Sequence, residues 1–541
     1  MRASYAAART GKVPRPKVAR GASIPAPVGG WDAISPIANM PPDRAVTLDN
    51  WFPQPDWVEL RKGFVRHVDL MSGAPVETVA AYEGASTDDL FAVSGGKIYL
   101  ATATPASTAV SGLANSRFQF TNFATTGGNF LYMVNGADDP QYFDGTTWAV
   151  AAITGVSGSD LITVTPHKAR LWFSINGTSD AAYLGVDSIQ GAATVFPIGG
   201  NWSMGGYLMQ IASWSLDGGN GPDDYIAFIS SRGQVSVYSG TDPNTDFTLV
   251  GTYLMGSPIG RRCITKVGAD IAIICIDGLV PLSKALIFDR AAVTQVTLTR
   301  NIQRVMNQSA RDYKNNFGWQ IIGYPRGTRA ILNIPVSENG EQQQYVMNTL
   351  SGAWCRFTGM NGSCWEVYQD NLYFGGNDGV VYEADRSGTD YGRRLSANMM
   401  TAFNYYGKRG NQKRWTMCRP QLTTDNQVNP GLAFNVDFQD FAPISVASTP
   451  SSQTALWDIA LWDVGLWAGQ VVTQSNWTSV TGLGYCASIR MAIDIDSPVA
   501  AGGAVWGVGL WGVNKWSYSD GAEVVLRVNG FDLSMEDGSI V

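Results

Sequence analysis

The 541-residue chain is low in charge: Asp, Glu, Lys and Arg make up 15% of it, well under the roughly 25% of ordinary soluble domains, while 60 Gly, 18 Trp and 21 each of Tyr and Phe supply turns and large apolar bodies. Its formal net charge is −7, yet Arg2, Arg9, Lys12, Arg15, Lys17 and Arg20 all precede the first acid, Asp32, so without them the body carries about −13. Such a body argues against general duplex-DNA binding, which needs many cations on one face, and is compatible with DNA passing by without sticking.

Residues 1–29 hold those six cations among Pro, Ala and Gly without apolar periodicity. Pro14, Pro16, Pro25 and Pro27 forbid a long helix, so the expected state is an extended arm that orders against a partner. From Gly30 an irregular, Trp- and Pro-rich lead-in follows, with Val58-Glu59-Leu60 and Phe64-Val65 as its first strand pieces. Then come seven apolar runs, each broken by a Gly, Asn, Asp or Ser turn. They begin near Leu90 (LFAVSGGKIYLAT), Leu131, Leu171, Tyr225, Ile271, Ala330 and Leu372 (LYFGGNDGVVYEAD). Their recurrence every 40 to 60 residues fits propeller blades of about 40–50 residues and excludes short solenoid repeats. Asp88-Asp89-Leu90-Phe91-Ala92 is echoed by Asp223-Asp224-Tyr225-Ile226-Ala227. The expectation is an all-β chain: a β-propeller of about six to eight blades from about Val76 to Asp385, the strand from Phe64 closing the ring with the last blade. With its lead-in the propeller spans 30–392, and an additional C-terminal β domain spans 393–541.

Within that C-terminal domain, Lys408, Arg409, Lys413 and Arg414 cluster in YYGKRGNQKRW. Such a cluster is either a solvated hairpin tip or contact for an acidic partner, or a phosphate grip with interleaved aromatics. Further on, Trp457, Trp462 and Trp467 stand five apart, and Trp506, Trp511 and Trp516 repeat the spacing. A period of five suits neither helix nor strand, so each Trp-Asp or Trp-Gly step marks a turn. The six Trp either fill the core of this domain or form an interaction surface.

Signals for chemistry are sparse. The six cysteines, Cys263, Cys275, Cys355, Cys364, Cys418 and Cys486, include no C-x-x-C pair and read as buried thiols. Only His67 and His167 exist, outside any zinc or triad pattern. Neither a P-loop, a dinucleotide fingerprint nor a G-x-S-x-G elbow occurs, and no run reaches the length of a membrane span. Tyr142 to Trp148 (YFDGTTW) faintly resembles a sialidase Asp-box; the plainer reading is a turn capped by Asp144 with Trp148 packed beside it. Asp88-Asp89, Asp138-Asp139 and Asp223-Asp224 lack calcium-loop spacing and read as turn carboxylates. No catalytic, cofactor-binding or metal-ligating residue is expected, no cofactor is called for, and the chain reads as a non-enzyme.

One stretch is distinctive. Gly29-Gly30-Trp31 through Ser35-Pro36, Met40-Pro41-Pro42, Leu48-Asp49-Asn50-Trp51-Phe52-Pro53 and Arg61-Lys62-Gly63 resemble the N-terminal signature of short-tailed phage tail nozzle, or packaged-DNA stabilisation, proteins. Asn348-Thr349-Leu350-Ser351-Gly352-Ala353-Trp354, Phe374 to Gly379 and the Trp-Asp repeats near Trp457 are also similar to that group. The resemblance implies a viral structural protein of the virion tail, assembled in the bacterial host cytoplasm. Six copies would form a hexameric tube below the portal and adaptor ring, bearing tail fibres or spikes. That tube would retain the packaged genome and act as a DNA conduit during genome ejection, without sequence recognition of the double-stranded DNA and without stable membrane insertion. The basic arm, the Lys408–Arg414 cluster and the six Trp are the expected partner contacts. The alternative is a carbohydrate-binding or glycan-depolymerising propeller on a phage tail or bacterial surface, using a carboxylate pair and Trp platforms.

Overall fold

The computed structural model describes residues 19–85, 87–217, 222–267, 270–287, 290–293, 296–425, 428–445, 447–448, 471–496 and 524–538. Seven antiparallel blades follow one another round a ring. Blade 1 is Val76–Glu83, Asp88–Ser94, Lys97–Leu100 and Ser107–Ser111; blade 2 is Gln119–Thr125, Gly128–Val134, Gln141–Phe143 and Trp148–Val150. Blade 3 is Leu161–His167, Arg170–Ile175, Asp180–Tyr183 and Thr194–Pro197, and blade 4 is Leu208–Asp217, Pro222–Ser230, Gln234–Ser239 and Thr248–Leu254. Blade 5 has three strands, Ile264–Val267, Asp270–Cys275 and Gly278–Pro281. Six blades stand as separate sheets. The exception is blade 6 (Gln320–Tyr324, Arg329–Pro335, Gln342–Asn348, Trp354–Thr358), which forms one end of a nine-stranded sheet.

Blade 7 is Gly362–Tyr368, Asn371–Gly376, Val380–Ser387 and, from far upstream, Gly63–Asp69. This is the ring closure expected from Phe64, and each of the seven apolar runs begins in or next to one blade's second strand. The closing strand starts where only glycine fits: a Cβ on Gly63 would lie 1.9 Å from the Thr389 carbonyl oxygen.

A blade cannot bury its faces alone, and the ring solves this by stacking sheet on sheet. Ala80, Phe91, Phe118, Leu131 and Phe143 fill the layer between blades 1 and 2, and Trp172, Ile211, Phe228 and Tyr238 the layer between blades 3 and 4. Hydrogen bonds along the innermost strands lock neighbours together. Ser363 Oγ donates to Val76 O (3.0 Å), Thr78 Oγ1 to Ser116 O (2.7 Å), Thr165 Oγ1 to Ile211 O (2.9 Å), and Gln320 Nε2 to Trp365 O (2.7 Å).

Apart from a two-stranded sheet of Ile153–Thr154 and Gly191–Ala192, both chain ends build the remaining sheets. Beyond blade 6 the nine-stranded sheet runs through Arg44–Asp49, Leu395–Thr401, Ala487–Ile495 and Gly431–Val436, with Gly30–Trp31 paired to Arg44–Asp49. A seven-stranded sheet joins Lys413–Thr424 and Leu526–Asp537 to Trp51–Pro53 and Val58–Leu60, with Arg20–Pro25 on Leu526–Asp537. Two sequence-based expectations shift accordingly. The lead-in belongs with the C-terminal strands rather than the propeller, and residues 20–25, inside the stretch 1–29 expected as an extended arm, are a strand paired with Leu526–Asp537. The helix Gln303–Tyr313 was not anticipated; it buries Met306 and Ala310 beside blade 5.

Candidate functional site

Several of the residues that carry the resemblance, Trp31, Asp49, Asn50, Arg61 and Asn348, meet at the joint between blades 6 and 7 and the C-terminal sheets. Asn50 adopts φ 60°, which turns the chain sharply between two strands. Its Oδ1 accepts from Thr358 N (2.8 Å) and Arg61 Nε (2.8 Å), while its Nδ2 donates to Ser396 O (2.7 Å) and Thr358 Oγ1 (3.0 Å). Arg61 is buried and forks onto Asp390 through Nη1 (2.8 Å) and Nη2 (2.6 Å); Nη2 also reaches Thr358 O (2.7 Å). Asp49 receives a second bidentate pair from Arg356 at 2.7 and 2.8 Å, and Arg356 lies over the Trp31 ring. Asn348 Nδ2 donates to Pro53 O (2.9 Å), and its Oδ1 caps the turn at Leu350 and Ser351. Trp51 and Phe52 are fully buried beside them. The side chains of Asn50, Arg61, Asp390, Asp49, Arg356 and Asn348 are all hydrogen-bonded, while the indole N–H of Trp51 is buried without a partner; bidentate guanidinium–carboxylate pairs fix direction as well as distance. The arrangement holds two bodies at one angle; it offers no open nucleophile or acid–base pair.

A second cluster spans the propeller axis. Arg262, immediately before blade 5, reaches across the ring: its Nη2 donates to Glu77 O, Thr78 Oγ1 and Phe118 O, each at 2.9 Å, in blade 1 and the start of blade 2. The Phe317 ring lies 4.2 Å from the Arg117 guanidinium and 5.4 Å from that of Arg262. Arg117 in turn pairs with Glu77 (2.9 Å) and Glu338 (2.6 Å). Burial pulls the Arg262 guanidinium below its ordinary value. Desolvation pushes Glu366, on the innermost strand of blade 7, up to about 8, although its backbone bond at Val367 and the charge of Arg262 oppose the rise. Side chains thus tie blade 5 to blades 1 and 2 across the axis of the propeller.

Other expected groups fall as follows. Asp144 Oδ1 accepts from Thr146 N (2.8 Å) and Thr147 N (2.7 Å), and Trp148 packs on Phe91, which is the capped turn read from the sequence. Asp138 caps Ala114 N (2.8 Å), Asp89 accepts from Thr102 Oγ1 (3.0 Å), and Asp224 pairs with Lys168. His67 bonds Ala101 O (2.8 Å); His167 bonds Ser213 Oγ (2.7 Å), and burial lowers it to about 4, so it stays neutral. All six cysteines are buried and unpaired, with burial raising Cys263, Cys275 and Cys418 to about 12, far from reactive thiolates. Among the described residues no group of three potential metal ligands comes together.

The basic cluster divides. Lys413 turns inward, donating to Lys408 O (2.7 Å), Asn411 O (2.9 Å) and Tyr485 O (3.2 Å); it clamps its own turn and is withdrawn from any partner. Lys408 and Arg414 are exposed, while Arg409 lies over Tyr405 and donates to Asn39 Oδ1 (3.0 Å). Arg20 approaches Asp537 at 3.9 Å, both exposed. Arg2, Arg9, Lys12, Arg15 and Lys17, and Trp457, Trp462, Trp467, Trp506, Trp511 and Trp516, lie outside the described residues. Sequence reasoning missed Arg262 and Glu366; no motif marks either, since each matters through residues a hundred or more positions away.

A cleft of about 470 Å³ opens between blades 6 and 7, lined by Phe64, Phe374, Tyr382, Tyr391, Asn361 and Arg393 among others. Phe64, Phe374 and Tyr382 are buried against one another, with Phe374 and Tyr382 stacked at 5.2 Å, so they present no open aromatic face.

No protein-family description matches the chain, and no curated protein does. Solved structures similar to it include BBS1N in complex with ARL6DN (11% identity, 61% of this chain and 99% of that one, TM-score 0.37). Sqt1 of Saccharomyces cerevisiae is another (10% identity, 60% and 99%, TM-score 0.34). A third is the computationally designed Ika8 protein (9% identity, 59% and 99%, TM-score 0.34). Nothing about function follows from likenesses this distant. The class, a β-propeller with an additional C-terminal β region, stands on the strand pairings themselves.

Proposed function

We propose that this chain is a structural subunit of a short phage tail, a nozzle protein of which six copies form a tube that retains the packaged genome and conducts it during ejection. The observation that carries the reading is the convergence of several of the resemblance's residues, Trp31, Asp49, Asn50, Arg61 and Asn348, on one buried joint. A signature made of joint residues suits a protein whose work is to hold shape under load. Arg262, reaching across the axis, adds that a conduit would run between copies and not through one propeller.

On this reading the partners are further copies of the chain, a head-to-tail adaptor ring, and fibres or spikes. Duplex DNA would slide past without sequence recognition, and the basic arm would dock on a neighbour or on the adaptor. The protein would be non-enzymatic and located in the virion tail. The test is the mass of the purified full chain, followed by negative-stain imaging with adaptor and portal. A six-copy ring that seats on the adaptor supports the reading. A monomer that ignores the adaptor, with glycan bound on an array, overturns it in favour of the saccharide-binding alternative.

A further inference from the structure

Two basic stretches that lie far apart in the sequence, one before Arg20 and one at Lys408–Arg414, meet in the fold. Arg20–Pro25, Leu526–Asp537 and Lys413–Thr424 are neighbouring strands, and their register sets Arg20 beside Met535, Met535 beside Trp415, and Glu536 beside Arg414. Neighbouring strands stand about 4.8 Å apart, so Arg20 begins its strand about 10 Å from Trp415. The turn before Lys413 comes to the same corner: Gln412 O accepts from Gly538 N (2.8 Å), and a Cβ on Gly407 would lie 3.7 Å from Arg20 Nη1. Buried Lys413 clamps that turn and leaves Lys408, Arg409 and Arg414 exposed. Residues 1–19 lead into Arg20 and add Arg2, Arg9, Lys12, Arg15 and Lys17 with no acid.

Nine cations are thus tied to one corner of the seven-stranded sheet. Three acids stand with them. Asp537 approaches Arg20 at 3.9 Å, Glu536 lies opposite Arg414, and Asp437 Oδ1 accepts from Tyr485 N and Cys486 N. The excess runs against the net charge of −7, and it meets the condition that the acidic body fails, many cations in one place.

We propose that this corner binds the phosphate backbone of duplex DNA without reading its sequence. A folded acidic partner is held chiefly by large anchors seated in pockets, whereas the exposed turn 407–412 consists of Gly, Lys, Arg, Gly, Asn and Gln, and residues 1–19 are dominated by Ala, Pro, Arg and Lys. Duplex DNA asks only for cations: it carries one charge per about 1.7 Å of axis, and released counterions drive the binding. The inference goes beyond the tube reading, in which DNA slides past. One electrostatic hold on an otherwise acidic protein retains DNA and still lets it move, because such contacts have no sequence register.

The test uses the full chain and a short dye-labelled duplex of mixed sequence, followed by fluorescence anisotropy between about 50 and 200 mM salt. With the four described cations engaged, the wild type should show a log–log salt slope of about −3.5 or steeper, roughly a hundredfold loss across that range. K408E/R409E/R414E and a chain lacking residues 2–18 should each bind at least about tenfold more weakly at the low end, with a shallower slope. K97E/R232E/R311E makes the same charge change at exposed residues elsewhere and should leave the affinity within about twofold. K408Q/R414Q, which keeps the Arg409 bond to Asn39, serves if the corner variant unfolds. No binding at the lowest salt overturns the proposal, as does equal weakening by the two triple variants. Corner variants that hold DNA like the wild type but no longer associate with further copies or with the adaptor assign the corner to protein and overturn it as well. None of these outcomes depends on ring formation: a chain that binds DNA here and forms no six-copy ring sustains this inference and sinks the tube reading.

Discussion

Blades 1 to 4 and the region from blade 5 through the C-terminal sheets use the same strand chemistry but hold together differently. The first region is a set of self-contained four-stranded sheets, each layer with its own small apolar cluster, tied by single hydroxyl and amide bonds between innermost strands. The second shares one continuous apolar core from Ile24 to Met535 and adds doubly hydrogen-bonded ion pairs, of which Arg61–Asp390 is buried and Arg356–Asp49 half-buried. Local repetition is enough for the first region. The second must bring together residues more than 300 positions apart, and charge geometry gives it direction that apolar burial alone lacks.

That contrast can be broken most severely at the joint. Arg61→Ala leaves Asp390 buried without its partner and should cost roughly 3–5 kcal/mol. Denaturant unfolding should show the loss, and hydrogen exchange should rise at 358–401 well before it rises in blades 1 to 4. Equal acceleration everywhere would mean that the two regions do not differ in this way. Next in size is Arg262→Ala, which removes a charged donor from three acceptors across the axis and should cost on the order of 2–3 kcal/mol. Here exchange should increase around Glu77, Thr78 and Phe118, with the joint unaffected.

A smaller effect sharpens the electrostatics of the axis. Glu366 binds its proton more tightly folded, near 8, than unfolded, so it favours the fold most at low pH; that contribution fades as pH rises from the ordinary glutamate range through 8. Glu366→Gln should match the wild type in thermal midpoint near pH 4 and exceed it at pH 9. A variant no more stable than wild type at pH 9 would show that Glu366 is not desolvated. The smallest change expected is Asp144→Ala, which removes an exposed turn cap at the tip of blade 2 and should cost about 1 kcal/mol or less, by analogy with lost helix caps.

Legibility in the sequence follows the same division. The seven apolar runs, the closing strand at Phe64 and the Asp144 turn could all be read because strand alternation and turn chemistry are local. Nothing local announces that Asn50 faces Ser396, that Arg61 faces Asp390, or that Arg20–Pro25 pairs with Gly530–Met535. Lys413 looked like surface charge because its acceptors are backbone carbonyls, which no residue pattern encodes. The helix Gln303–Tyr313 did leave a trace in the four-residue spacing of Ile302, Met306 and Ala310, which strand-dominated surroundings obscured.

The most direct test of the central claim is an image of the assembled particle: purified chain combined with adaptor and portal, viewed end-on by electron microscopy. The expected view is six copies around a shared bore, with every propeller axis off that bore and crossed by Arg262. A single copy on the complex, or a channel running through a propeller axis, would contradict it.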